Sequence, residues 1–292
     1  SLLGLDIELV KGDLFAPDAL DRLMQGSDII IHLAGKVSIY PEEKKEVYKT
    51  NIEGVKRVTE ACLRNGIKKM IHFSSIHAHK GFGPDVRLDE NTPYVESQKS
   101  SYDYSKARGE NIVIEARKKG LDTVIINPTA VIGPYDFKPS LSGKLLSDIY
   151  TGKMNSIVSG GFDWVDVRDL AQAVDKIIED DIQNEKFVLS GNWASFKEMA
   201  DLVCGVKGKK YKGFTSSLSM AYLGLPFIKL CSKITGELPL YTIESLKTIK
   251  EGSKDVSNKK AAEMLGYKPR PFDQSITEIT QWLIGHFNLN DG

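Results

Sequence analysis

The sequence predicts an α/β fold built on a doubly wound parallel sheet, and three observations carry that expectation. One grammar occurs three times: a helical pattern, a glycine where a helix would end, then a short run of apolar or β-branched residues. Those runs are mostly apolar or β-branched rather than strictly alternating, as in strands covered by helices on both faces. Strand and helix patterns also alternate along the chain, which favours crossover connections and parallel pairing.

The first unit has a helical pattern over residues 17–24, with Pro17 suited to a first helical position, then Gly26, then the strand pattern Ile29-Ile30-Ile31-His32-Leu33. The second runs over 52–63, then Gly66, then Met70-Ile71-His72-Phe73. The third runs over 102–119, then Gly120, then Thr123-Val124-Ile125-Ile126. Past Gly160, Trp164-Val165-Asp166-Val167 precedes a helix over 170–178, and Phe187-Val188-Leu189 reads as a strand; both are expected to finish the sheet. From Ser195 the pattern is mainly helical, with breaks expected at 205–213, 224–226 and 267–271. The expected division is therefore a sheet domain over 1–190 and a smaller, mainly helical lobe over 191–292. The apolar stretch 220–231 is interrupted by Gly224, Pro226 and Lys229 and is too short to span a membrane. It reads as a buried or substrate-covering helix.

Composition narrows the function classes. The chain has 292 residues, 41% of them hydrophobic, and 39 basic residues balance 39 acidic ones. No global field draws it to nucleic acid or an anionic membrane, so a small-molecule partner is expected. Cys62, Cys204 and Cys231 form neither a CxxC pattern nor a secreted disulfide framework, which points to a reducing, cytoplasmic compartment. No segment reads as a signal peptide.

In an open parallel sheet the ligand lies beyond the carboxyl ends of the strands. Here those ends carry Ala34-Gly35, Ser74-Ser75 and Asn127-Pro128-Thr129, small or hydroxyl residues that let a cofactor approach backbone. Tyr102 and Lys106 stand four apart at a helix start, so both project from one face. A neighbouring ammonium favours the phenolate, which moves Tyr102 toward use as a general acid or base. A second copy of this spacing, Tyr40 to Lys44, is followed by Pro41 in a charged loop and reads as surface. Ser75 reads either as a hydroxyl that polarises a substrate carbonyl or as a serine that ends its strand by bonding backbone. Asn51 precedes a helix it is placed to cap. His77 and His79 share one side of an extended segment; with no acid or cysteine to complete a ligand set, no metal is expected, and a place in the substrate pocket is the alternative.

Ser74-Ser75, Tyr102-Asp103-Tyr104-Ser105-Lys106 and Asn127-Pro128-Thr129-Ala130-Val131-Ile132-Gly133-Pro134 resemble the extended short-chain dehydrogenase/reductases of the NAD-dependent epimerase/dehydratase superfamily. Within them the sequence looks dihydroflavonol-4-reductase-like. Gly12-Asp13-Leu14, His32-Leu33-Ala34-Gly35, Asn51-Ile52-Glu53-Gly54 and Val165-Asp166-Val167-Arg168-Asp169 extend the match. The resemblance implies a Rossmann-type sheet binding NADP or NAD over 1–190 and a substrate-binding lobe over 191–292. It implies that Ser75 and Tyr102 act on the substrate carbonyl, and that Lys106 acts on the nicotinamide ribose and the tyrosine, with Asn51 supporting that lysine or its water. Asp13 would accept from the adenine amino group unless it merely starts a helix. Leu14, Leu33, Ala34, Gly35 and Ser74 would line the cofactor, and Pro128, Thr129 and Val131 would flank the nicotinamide. A homodimer through helices at 55–63 and 107–116 is a further implication.

One departure matters. The family's glycine-rich turn, which holds the pyrophosphate at a helix N-terminus, does not occur in these residues, nor does the residue that chooses between the two cofactors. A sheet lacking that first βα unit would leave strand edges unpaired, so the sequence is expected to be part of a longer chain and to bind dinucleotide weakly by itself. The leading expectation is reversible carbonyl reduction of a small organic substrate, with Tyr102 as proton donor. The alternatives are a nucleotide-sugar epimerase or dehydratase using the same residues, and a non-catalytic cofactor sensor.

Overall fold

The structure, a computed structural model, describes residues 4–38, 40–80, 83, 85–98, 100–235 and 241–289. The three helix-ending glycines all take positive φ, 76° at Gly26, 68° at Gly66 and 97° at Gly120, a conformation that costs other residues energy. Helix α1 (Pro17–Met24) therefore stops in time for β1 (Ile29–His32). Helix α2 (Lys44–Tyr48), a π-helical stretch (Lys49–Gly54) and α3 (Val55–Arg64) follow one another before β2 (Lys69–Phe73). The short β3 (Arg87–Leu88) precedes α4 (Ser101–Lys118), β4 (Asp122–Pro128) and β5 (Ala130–Ile132). Next come α5 (Leu141–Tyr150), β6 (Ser156–Val158), β7 (Gly161–Asp166), α6 (Val167–Glu179), β8 (Lys186–Leu189) and β9 (Asn192–Ser195). The remainder is α7 (Phe196–Gly205), β10 (Phe214–Ser216), α8 (Leu218–Thr235), α9 (Ile243–Glu251), β11 (Asp255–Val256), α10 (Lys259–Leu265) and α11 (Phe272–Phe287).

The main sheet is wholly parallel in the order β1-β2-β4-β8, as the mostly apolar runs predict. Successive side chains point to opposite faces, and both faces are covered. Met70 and Ile125 join Leu20, Val58, Cys62 and Val113 on one side; Ile71, Val124 and Ile126 join Leu170, Ile177 and Phe187 on the other. The fold is thus the expected Rossmann-like α/β architecture. Strand β1 forms one edge of this sheet, with Ile31 exposed and Leu33 beyond it 67% exposed.

Three expectations are corrected here. The Trp164 to Asp166 run does not finish the main sheet: β7 pairs in parallel with β5 and antiparallel with β9 in a separate three-stranded sheet. Glycine makes that pairing possible, because a Cβ at Gly161 would lie 2.1 Å from the Ala194 oxygen and one at Gly191 1.8 Å from the Trp164 oxygen. The break expected at 224–226 is absent as well, for Pro226 lies inside α8. Burial of Ala221 and Leu225 in the third core cluster, with Leu146, Trp164, Met199, Leu246 and Ile276, holds the helix through it. Nor is α8 simply buried or covering, since Met220, Leu223 and Phe227 face solvent. Among the described residues no helix is long and apolar enough to cross a membrane.

Candidate active site

Helix α4 is started by Ser100, whose side-chain oxygen accepts from the Asp103 backbone N–H at 3.3 Å. That cap places Tyr102 in the first turn and Lys106 one turn later. Glu110 follows at the same spacing and is fully buried. Ser75 ends β2 and starts a single 3₁₀ turn, its hydroxyl accepting from the His77 N–H at 3.2 Å. The hydroxyl also hydrogen-bonds with Tyr102. The backbone-bonding reading of Ser75 thus describes this hydroxyl, which at the same time lies beside the phenol.

Burial pushes the Tyr102 pKa up to about 12, with the Ser75 hydrogen bond pulling the other way. This corrects the expectation that Lys106 draws Tyr102 toward the phenolate. The Lys106 ammonium lies 5.9 Å from the Tyr102 ring centroid and donates to the Phe73 carbonyl at 3.1 Å, and burial of the phenol outweighs its influence. Burial in turn lowers the Lys106 pKa to about 8, and the Glu110 carboxylate opposes that shift. A neutral phenol beside a cation is arranged to give up a proton as negative charge develops on an oxygen.

A hydrogen-bonded frame surrounds the trio. Asn51 is no helix cap: from the π-helical stretch it bonds both backbone groups of Lys36, accepting at 2.8 Å and donating at 2.9 Å, and donates to the Ser105 hydroxyl at 2.9 Å. It therefore ties the segment after β1 to α4. Behind Ser75, the Asn127 amide donates to the Ser75 carbonyl and to Glu110, which also accepts from the Tyr94 hydroxyl at 2.8 Å. The sequence reading missed Glu110. Its position eight residues after Tyr102, on the same helical face, is the signal that would have found it.

The site opens into a cavity of about 1160 Å³. Leu33, Gly35, Ser74, Ser75, Tyr102, Lys106, Pro128, Thr129 and Val131 all line it, so sheet ends far apart in sequence meet there. Ala34, Asp13 and Leu14 do not line it. Asp13 closes its own turn, accepting from the Phe15 N–H at 2.8 Å, and Leu14 packs beside Gly54. Val37, Leu141, Phe162 and Ile243 also line it, with Glu244 and Lys247 of α9. His77 stands in the wall with its Nδ1 3.2 Å from Asp103, while His79 is buried against the Tyr94 ring. Tyr40 is corrected: it is half-buried and lines the cavity instead of sitting on a surface loop. Asp163, also unforeseen, lies in the wall with its carboxyl raised by burial and accepts from the Gly191 N–H at 2.7 Å.

The residues present fit the nicotinamide end of a dinucleotide. Gly35 leaves open space beside Lys106, since a Cβ there would stand 3.3 Å from the ammonium. Ser74 lines this cavity, and its buried hydroxyl has no hydrogen-bond partner among the described residues. The Lys106 ammonium lines the same cavity as a hydrogen-bond donor.

A model of the NAD dependent epimerase/dehydratase family matches residues 2–190. The chain is similar to sterol demethylase protein B of Methylococcus capsulatus, 31% identical over 194 residues covering 65% of this chain and 58% of that protein. It is also similar to 3beta-hydroxysteroid-dehydrogenase/decarboxylase isoform 1 of Arabidopsis thaliana, 24% identical over 286 residues covering 90% of this chain and 63% of that protein. The chain thus spans less than two thirds of the length of these curated relatives. Among solved structures, gox2253 superposes with a TM-score of 0.83 at 31% identity, covering 99% of this chain and 88% of that one.

Proposed function

Because the chain belongs to the NAD dependent epimerase/dehydratase family, we propose that it interconverts a secondary alcohol and a ketone on a largely apolar, ring-bearing substrate, with a nicotinamide dinucleotide as its redox partner. The observation that carries this reading is that Ser75, Tyr102 and Lys106 line one cavity together with the apolar side chains of Val37, Leu141, Phe162 and Ile243. Apolar lining of this kind binds apolar rings, while the polar side chains set among it orient the reacting oxygen. The names of the sterol and hydroxysteroid relatives support the same substrate class.

The dinucleotide supplies or accepts the hydride when bound. In the reductive direction the Ser75 hydroxyl and the Tyr102 phenol both hydrogen-bond the substrate carbonyl oxygen. Tyr102 gives its proton to that oxygen as negative charge develops there. Lys106 stabilises the resulting phenolate and holds ribose hydroxyls. Glu110 and Asn127 keep these groups in register from behind. Residues 191–292 contribute the substrate-side wall through Ile243, Glu244 and Lys247.

The test is consumption of NADH and NADPH against steroid ketones, small ketones, aldehydes and nucleotide sugars, with Tyr102→Phe as control. Turnover of a ketone, reduced on the order of 10²–10⁴-fold in the variant, is the expected outcome. A nucleotide sugar that changes configuration or loses water with no net cofactor consumption would replace this reading with an epimerase or dehydratase. Dinucleotide binding with no turnover of any of these substrates would favour a cofactor sensor.

A further inference from the structure

The overall charge balance conceals one local excess. Between Asp201 and Glu237 the sequence carries Lys207, Lys209, Lys210, Lys212, Lys229 and Lys233 and no aspartate or glutamate. Lys209, Lys210 and Lys212 are exposed in the loop between α7 and β10, which leads directly to Phe214, itself exposed.

Helix α8 follows at once and is apolar on two faces. Leu218, Ala221, Tyr222 and Leu225, at the spacing of one helical stripe, pack into the core. Met220, Leu223 and Phe227, also at helical spacing, stand on the other side and are 52%, 77% and 73% exposed. A surface helix ordinarily turns charged or polar residues outward, yet residues 218–228 include no charged side chain. Large apolar groups grouped on a surface mark an interaction site.

We propose that the outer face of α8, together with Phe214 and the lysine loop before it, docks on an anionic lipid surface. The apolar side chains would enter the boundary between headgroups and acyl chains while the lysines meet phosphate headgroups. Charge chooses this occupant. A second copy docked about a twofold axis would press one set of lysines toward another, and a soluble apolar ligand would make no use of them. With a few inserted side chains the attachment is peripheral and reversible. Helix α8 packs on α9, whose Ile243, Glu244 and Lys247 line the cavity, so docking brings the substrate wall within one helix of the lipid. The proposal is independent of the reaction assigned to the site.

The test is cosedimentation of the purified chain with vesicles of phosphatidylcholine alone and of phosphatidylcholine mixed with phosphatidylglycerol. Binding is expected to the mixed vesicles, weakening as salt rises. Lys210→Glu with Lys212→Glu should lower the partition constant roughly fivefold or more for each charge removed. Leu223→Ser with Phe227→Ser should also release the protein, with its circular dichroism unchanged because both side chains are exposed. Reversal of Lys118 and Lys119, at the end of α4, should leave binding intact. Equal binding to both vesicle types, no binding, or variants that bind like the parent would overturn the proposal. A concentration-dependent dimer that only the α8 variant loses, without vesicle binding, would reassign the face to self-association.

Discussion

The Asn127 side-chain amide donates to the Ser75 carbonyl oxygen at 2.9 Å, joining the ends of β4 and β2 behind the active-site wall. Both residues are buried, and the same amide nitrogen reaches Glu110 on α4. One buried carboxylate thus sets the position of Ser75 through Asn127 and the charge state of Lys106 through space.

Glu110→Gln is expected to act on the pH profile more than on folding. Lys106 has its pKa lowered to about 8 by burial, so carbonyl reduction that needs its charge should fall as pH rises through about 8. Glu110 raises that pKa; without its negative charge Lys106 loses its proton at lower pH, and the limb moves down. A kcat/KM profile measured across this range checks the sign. An unmoved limb with reduced activity would leave Glu110 only its hydrogen bonds.

Gly35→Ala tests the cradle. The added methyl would stand 3.3 Å from the Lys106 ammonium and 3.5 Å from the Asn51 side-chain oxygen, so the lysine end must shift. A misplacement of that kind is expected to lower kcat/KM by roughly tenfold to a hundredfold. Thermal unfolding should change little. An active enzyme with ordinary kinetics would show that the space beside Lys106 is not used.

Gly191→Ala tests the second sheet. Its Cβ would meet the Trp164 backbone oxygen at 1.8 Å, and backbone cannot swing aside as a side-chain end can. We expect a loss of at least about 2 kcal/mol in urea unfolding, with Gly161→Ala behaving alike because its Cβ would meet the Ala194 oxygen at 2.1 Å.

Lys69→Met addresses a buried cation in the main sheet. Lys69 is 4% exposed and bonds Asp122 at 2.8 Å, Asp181 at 2.8 Å and the Ile182 carbonyl at 2.6 Å. Its removal takes the ion-pair partner from the largely buried Asp122, which among the described residues keeps only the Asn184 N–H bond at 2.8 Å, and should cost about 2–4 kcal/mol. Adding Asp122→Asn should restore part of that loss, and the double variant measured beside the singles shows whether the pair is coupled.

The sequence by itself determined the main sheet. Residues 29–33, 70–73 and 123–126 are rich in consecutive apolar and β-branched positions bounded by helix-ending glycines, the pattern of strands covered on both faces; Gly26, Gly66 and Gly120 fixed where the preceding helices end. It also determined that Ser75, Tyr102 and Lys106 share one region, since strand ends and helix starts converge at one edge of a parallel sheet. Tertiary structure alone decided the rest. Whether Trp164 to Asp166 joined the main sheet or a second one depended on contacts with Ala194 across a glycine, which no local pattern encodes. The pKa of Tyr102 followed burial rather than its spacing from Lys106, because desolvation depends on everything packed around the hydroxyl. The outward face of α8 was hidden for the same reason: its apolar residues occupy two helical stripes, and only packing against the core decides which stripe is left in water.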